Sequence, residues 1–178
     1  MKPVTIAVDA MSGDRGTDIT VSASLAMLAT YENLRLILVG REESIAPLLA
    51  DAGDVSSRAR IHEASEVVEM DDAPADALRK KKDSSMRVAI NLVHEGTAGA
   101  CVSAGNTGAL MATGRFVLKT VPGIDRPAIM ARIPTKAAQT HMLDLGANSG
   151  CTAEQLFQFG VMGSVVVQGL ENIQQPRV

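Results

Sequence analysis

Glycine and small polar residues are interleaved at three places in the chain, and each place follows an apolar run. The stretches are Gly13-Asp14-Arg15-Gly16, Gly105-Asn106-Thr107-Gly108 and Gly146-Ala147-Asn148-Ser149-Gly150. Each reads as the carboxyl end of a strand followed by the opening of a helix. Backbone N–H groups at a helix start have no partner inside the helix, and they favour an anion. Glycine lets that anion approach without a Cβ in the way. The chemistry these positions suit is the binding of phosphate or a phosphorylated substrate. Gly13, Gly105 and Gly108 would bare the backbone, and Ser103, Asn106, Thr107 and Asn148 would add neutral donors. Asp14, inside the first turn, is read at the edge of that site as the cap of the following helix. Asp9 and Asp144 stand between apolar residues near strand ends. These two, like Asp14, could bind a metal or act as a base, but orienting the loops is the plainer expectation for them.

Other chemistries find less support. Neither Gly-x-x-x-x-Gly-Lys-[Ser/Thr] nor Gly-x-Gly-x-x-Gly after a strand occurs, so no nucleotide or other cofactor is assigned. His62, His94 and His141 show neither metal-ligand spacing nor a serine or cysteine partner, and no metal is assigned. Cys101 lies within a strand. Cys151 lies at a helix start, which lowers a thiol pKa, but nothing supplies it with a base. Catalytic side chains are therefore left unassigned. The net charge of −3, with 17 basic residues and 2% aromatics, gives no nucleic-acid footprint. The run Arg79-Lys80-Lys81-Lys82 reads as a solvated helix face. Its sharper reading is that Lys80, Lys81 and Lys82 dock an acidic partner.

The elements that must position these residues alternate along the chain. Strands are expected at Val4–Ala10, Leu34–Gly40, Ala59–Ser65 and Ala98–Ala104, and two more in "PAIMARIP" and "THMLDLGA". A helix over Asp18–Tyr31 is expected to bury Ile19, Ser22, Ala23, Ala26, Met27 and Thr30. The helix in "ESIAPLLADAG" is expected to close at Gly53. Helical pattern from Pro74 to Gly96 breaks at Asp83-Ser84-Ser85, and further helices follow Thr107 and Thr152. This alternation predicts a mostly parallel sheet covered on both faces, a three-layer αβα sandwich in the α/β class. One domain over residues 1–178 is expected from length. Two separated cysteines and no visible signal peptide point to a reduced, cytoplasmic setting. No apolar run approaches the roughly 20 residues of a membrane span. Pro176-Arg177-Val178 reads as the start of another strand.

At "AVDAMSGD", "DAPADALRKKKDSSMRVAINLV", "VSAGNTGALMATG", "RPAI" and "LDLGAN" the chain resembles the bacterial phosphate acyltransferases of phospholipid synthesis, the PlsX family. The resemblance runs nearly end to end and covers the amino-terminal part of the family chain. It implies a fold similar to phosphotransacetylases and the isocitrate and isopropylmalate dehydrogenases. It also implies transfer of a fatty acyl group from acyl carrier protein to inorganic phosphate, giving acyl phosphate, without a cofactor. Implied too are a homodimer and a cytoplasmic location, peripheral at the inner membrane surface. Three departures stand out: Ser12 where glycine is usual, Thr17 for proline, and Ser149-Gly150 for Val-Asp. Alternatives are a catalytically incomplete chain that only folds or dimerises, and a phosphotransacetylase-like enzyme using acyl-CoA. A dehydrogenase is disfavoured by the missing dinucleotide fingerprint.

Overall fold

The computed structural model describes residues 2–136 and 139–178. The chain divides into two compact units, Met1–Lys119 and Thr120–Val178. The first contains β1 (Val4–Asp9), α1 (Gly16–Thr30), β2 (Leu34–Val39), α2 (Glu42–Ala50) and a 3-10 turn (Gly53–Arg58). It continues with β3 (Ala59–His62), α3 (Pro74–Lys80), α4 (Ser85–His94), β4 (Ala100–Val102) and α5 (Thr107–Leu118). Its four strands are all parallel, in the order β3-β2-β1-β4.

Uninterrupted aliphatic strands bury both faces, as a parallel sheet covered by helices requires. Ala7, Ile37 and Val39 pack with Ala89 and Leu92 of α4. The alternate residues Val8, Leu36 and Leu38 pack with Val21 and Leu28 of α1 and Ile45 of α2. Helix, sheet and helix make three layers, the architecture expected. The break at Asp83–Ser85 is also present: Ser84 caps α4 by accepting from the Arg87 N–H at 3.3 Å.

Local expectations differ in three places. The buried residues of α1 are Val21, Ser24 and Leu28, whereas Ile19 and Met27 are about half exposed. Small and apolar residues surround this helix on all sides, so two stripes compete and the one meeting the strands wins. Gly53 does not close α2; Asp51 does, and Gly53, at φ 61°, opens the 3-10 turn. Asp14 does not cap α1. The cap position is Arg15, without a side-chain bond, and the turn is closed by the Gly16 N–H donating to the Gly13 carbonyl.

The topology puts its reversal beside β1. From β1 the chain steps outward through β2 and β3, then returns to lay β4 on the other side of β1. The crevice outside the carboxyl ends of β1 and β4 is thus the switch point where open parallel sheets bind ligands.

The second unit contains β5 (Met130–Pro134), β6 (Gln139–Leu143) and α6 (Ala153–Glu171). β5 and β6 form a separate antiparallel pair, not two further strands of the parallel sheet. Residues 135–138 are too short a connection for a crossover, which takes about a dozen residues or more. α6 opens as expected at Thr152, in a capping box with Gln155. The strand expected from Pro176 is absent; Asn172–Val178 carry no strand. No helix among the described residues is long and apolar enough to cross a membrane.

Candidate anion site

β1 and β4 deliver the centre of the site. Their register pairs Ala7 with Cys101 and Val8 with Val102, so Asp9 and Ser103 are next in line. Asp9 is fully buried, and three chain segments donate to it. The Ser12 N–H reaches Oδ1 at 3.3 Å, Ser85 Oγ reaches Oδ1 at 2.5 Å and Ser103 Oγ reaches Oδ2 at 2.6 Å. Ser85 is the first residue of α4, and its own N–H is held by the Glu66 carbonyl. The carboxylate therefore ties β1, α4 and β4 together at the crevice, the loop-orienting part expected of it.

Two of the glycine turns meet above this carboxylate. A Cβ on Gly13, whose φ is 102°, would lie 3.1 Å from the Ala104 carbonyl oxygen. A Cβ on Gly105 would lie 2.6 Å from Ser12 Cβ, closer than real Cβ contacts come. At Gly13 the facing backbone, and at Gly105 the Ser12 side chain, leaves no room for a Cβ. Ser12 Oγ is buried and has no hydrogen-bond partner among the described residues.

Several predicted donors are already engaged. The Ser103 hydroxyl donates to Asp9 and accepts from the Gly105 N–H at 3.1 Å. Asn106 is the cap of α5: its Oδ1 accepts from the Ala109 N–H at 3.0 Å. Its Nδ2 donates to the carbonyls of Met70 and Asp72, both at 2.9 Å. Asn106 thus fastens the 69–72 loop to the helix start. Thr107 and Gly108 open α5 and are exposed, leaving the first-turn backbone as the donor set facing solvent. Asp14 is exposed beside Gly13.

The third turn belongs to the second unit. Asp144 accepts from the Ile129 N–H at 2.8 Å, the Asn148 N–H at 2.7 Å and Asn148 Nδ2 at 3.0 Å. Asn148 Nδ2 also donates to the Pro127 carbonyl at 3.1 Å. Burial pushes the Asp144 pKa up, but the N–H groups of Ile129, Asn148 and Ala147 together outweigh it and hold it below the ordinary value. The amide hydrogens of Asn148 are therefore occupied by its own loop. A groove of about 520 Å³ in this unit is lined by Leu143, Phe159, Val167 and Pro176, with His141 and Glu171. His141 Nε2 lies 3.1 Å from Glu171 Oε1, off the line of a hydrogen bond, and Arg132 reaches the same oxygen at 3.1 Å. The candidate anion site is the one in the first unit, where two glycine turns meet a hydroxyl–carboxylate cluster.

Residues 4–178 match the family model described as fatty acid synthesis protein. The chain belongs to that family. It is 61% identical over 176 residues to the phosphate acyltransferase of Alkalilimnicola ehrlichii, covering 98% of this chain and 52% of that protein. The proteins of the same name from Methylococcus capsulatus and Legionella pneumophila (strain Paris) are 58% and 55% identical, over 98% and 100% of this chain and 52% of each relative. The chain spans about half the length of the curated relatives it matches. The resemblance drawn from "SAGNTGA" and "DSSM" is thus supported across the chain, and those two stretches carry Ser103 and Ser85, which converge on Asp9.

Two features of this family member were not legible beforehand. The basic run is not one helix face. Lys80 ends α3 and pairs with Asp76 at 3.1 Å, whereas Lys81 turns inward to the Val67 carbonyl at 2.7 Å and Asp72 at 2.5 Å. The Lys81 hydrogen bond, with one from the Glu69 N–H, keeps the Asp72 pKa below the ordinary value. The second is the bond from Ser85 to Asp9: the sequence placed Ser85 at a helix start and within "DSSM", but did not show what its hydroxyl meets. Cys101 sits beside the cluster, and burial, then the charge of Asp9, push its thiol pKa up. A thiol kept protonated is a poor nucleophile. Among the described residues no group of three His, Cys, Asp or Glu could hold a metal ion.

Proposed function

We propose that this chain acts in the transfer of a fatty acyl group from acyl carrier protein to inorganic phosphate, giving acyl phosphate for phospholipid synthesis. The observation that carries this reading is the 61% identity, over 98% of the chain, to a protein named phosphate acyltransferase. The geometry of the first unit supports it. Phosphate rests where the Gly13 and Gly105 turns meet, against the exposed backbone that opens α5 at Thr107 and Gly108. One phosphate oxygen attacks the thioester carbonyl carbon; the new C–O bond forms as the C–S bond breaks. Charge developing on the carbonyl oxygen calls for preorganised donors, worth about 3–4 kcal/mol each. The departing thiolate, with the pKa of about 8.5 of an ordinary thiol, needs little acid assistance. Positioning then supplies most of the rate, in keeping with a site whose nearest thiol is held protonated. Acyl carrier protein would dock through the outward-facing Lys80 and Lys82, with Lys81 holding the loop beneath them. A homodimer at the cytoplasmic face of the membrane completes the reading.

The test is acyl-phosphate formation from acyl-acyl carrier protein and phosphate, trapped with hydroxylamine. It is run on the chain alone and on the chain fused to the remaining sequence of the Alkalilimnicola relative. Phosphate-dependent product from either protein is the expected result. Product from the fusion only would mark the chain alone as catalytically incomplete, and acyl-CoA serving better than acyl carrier protein would change the donor. No product from either folded protein would sink the reading.

A further inference from the structure

Asp9 is a buried charge that acyl transfer, as described, leaves without a part beyond architecture. Its bonded partners are neutral, and two of them are hydroxyls at 2.5 and 2.6 Å. A carboxylate only accepts hydrogen bonds, so the hydroxyl hydrogens of Ser85 and Ser103 both point inward to it. Ser85 is fully buried, whereas Ser103 is partly exposed at the crevice. Ser103 Oγ also takes the Gly105 N–H at 3.1 Å, which leaves it one lone pair and no hydrogen. Toward the crevice Ser103 is thus an acceptor, with a full negative charge 2.6 Å behind it. Beside it stands Ser12 Oγ, 1% exposed and without a partner, in the seam between the two turns. An unpartnered buried hydroxyl is costly unless something fills its hydrogen bond.

We propose that the Asp9–Ser103 pair makes the crevice selective for an oxyanion that carries a proton, so that it takes inorganic phosphate and rejects sulfate. The inference rests on the phosphate-binding reading of this site. The two anions have similar size and shape, and near neutral pH phosphate keeps at least one P–O–H while sulfate keeps none. The P–O–H of phosphate donates a hydrogen bond to Ser103 Oγ and keeps its proton, and the remaining oxygens face the backbone donors of the turns. Sulfate brings a lone pair against a lone pair, over a buried charge with nothing to offset it. The bare oxygens of phosphate stay available for attack because the protonated one is anchored.

Calorimetric titration of the full chain with inorganic phosphate and with sulfate tests this, with circular dichroism to establish folding. Phosphate should bind roughly tenfold or more tighter than sulfate, the factor expected when a charge-linked hydrogen bond is replaced by an unpaired contact. Ser103→Ala should erase most of that ratio by weakening phosphate alone. Asp9→Asn should do the same if it folds, and Ser103→Ala decides the matter if it does not. Equal binding of the two anions by the unaltered chain overturns the proposal and leaves the phosphate site standing. Loss of both anions together in Ser103→Ala also overturns it, because Ser103 would then be acting as general scaffolding. Binding of neither anion by the folded chain overturns both the selectivity and the site.

Discussion

Asp9 and Asp144 each close an apolar strand and each lie under a glycine turn, yet they are held by different donors. Asp9 takes two serine hydroxyls and one backbone N–H. Asp144 takes backbone N–H groups and the amide of Asn148. A backbone N–H that points at a carboxylate has no hydrogen left to offer, and the second amide hydrogen of Asn148 is taken by the Pro127 carbonyl. A hydroxyl in the same position keeps lone pairs on its far side. The turn over Asp144 is therefore closed on itself, and the turn over Asp9 still has something to present. The second difference is the room left beside the glycines. A Cβ on Gly105 would collide with Ser12, whereas a Cβ on Gly150 would meet nothing within 4 Å.

The largest effect separating the two turns should come from Gly105→Ala. It should cost about 1–3 kcal/mol, the range for overpacking a tight contact, while Gly150→Ala stays within about 0.5 kcal/mol. Urea titration followed by circular dichroism measures both. Because the colliding atom is Ser12 Cβ, adding Ser12→Gly to Gly105→Ala should restore most of the loss. No restoration would place the strain elsewhere.

Next in size is the contrast between the asparagines. Asn106→Ala removes a helix cap, about 1 kcal/mol, and leaves two carbonyls of the 69–72 loop without their donor, about another 1 kcal/mol. Asn148→Ala loses side-chain donors but keeps the backbone N–H that holds Asp144, so its cost should be nearer 1 kcal/mol. Equal thermal shifts would mean that Asn106 does not fasten the loop.

The smallest effect is confined to acid. The folded pKa of Asp144 lies below the ordinary value of 3.8, so the unfolded chain binds the proton more readily. Its contribution is complete above about 3.8 and is lost as pH falls through the lower folded value. Asp144→Asn should flatten that part of the acid limb of a stability–pH curve and leave its slope near neutrality unchanged. A change in slope near pH 7 instead would refute the assignment.

What could be read in advance follows from how local each signal is. "VTIAVD" and "LRLILV" are strands because both faces of each are buried, and such runs announce themselves. The break at Asp83–Ser85 was readable because a serine cap is a short-range device. Strand direction was not: "PAIMARIP" and "THMLDLGA" are aliphatic like the others, and only their short connection forces them antiparallel. The helix Gly16–Thr30 was visible but its buried face was not, since Ile19 and Met27 compete with Val21 and Leu28 for the sheet. The three glycine turns looked equivalent for the same reason. Sequence shows that a glycine is present, not what stands opposite it. Ser103, Asn106 and Asn148 were recognised as polar groups in the right places, but whether their hydrogens were already in use depended on residues far away.

The distances along the chain limit how portable the site is. Ser85 and Ser103 come from 76 and 94 residues beyond Asp9, at the start of a helix and just past the end of a strand that β1 meets only in the folded sheet. A peptide bearing "SAGNTG" would reproduce the turn but not the charge beneath it. Grafting the selectivity onto another scaffold would mean carrying over the β1–α4–β4 junction whole, and a linear pattern search would pass over any protein that rebuilt the same junction in a different chain order.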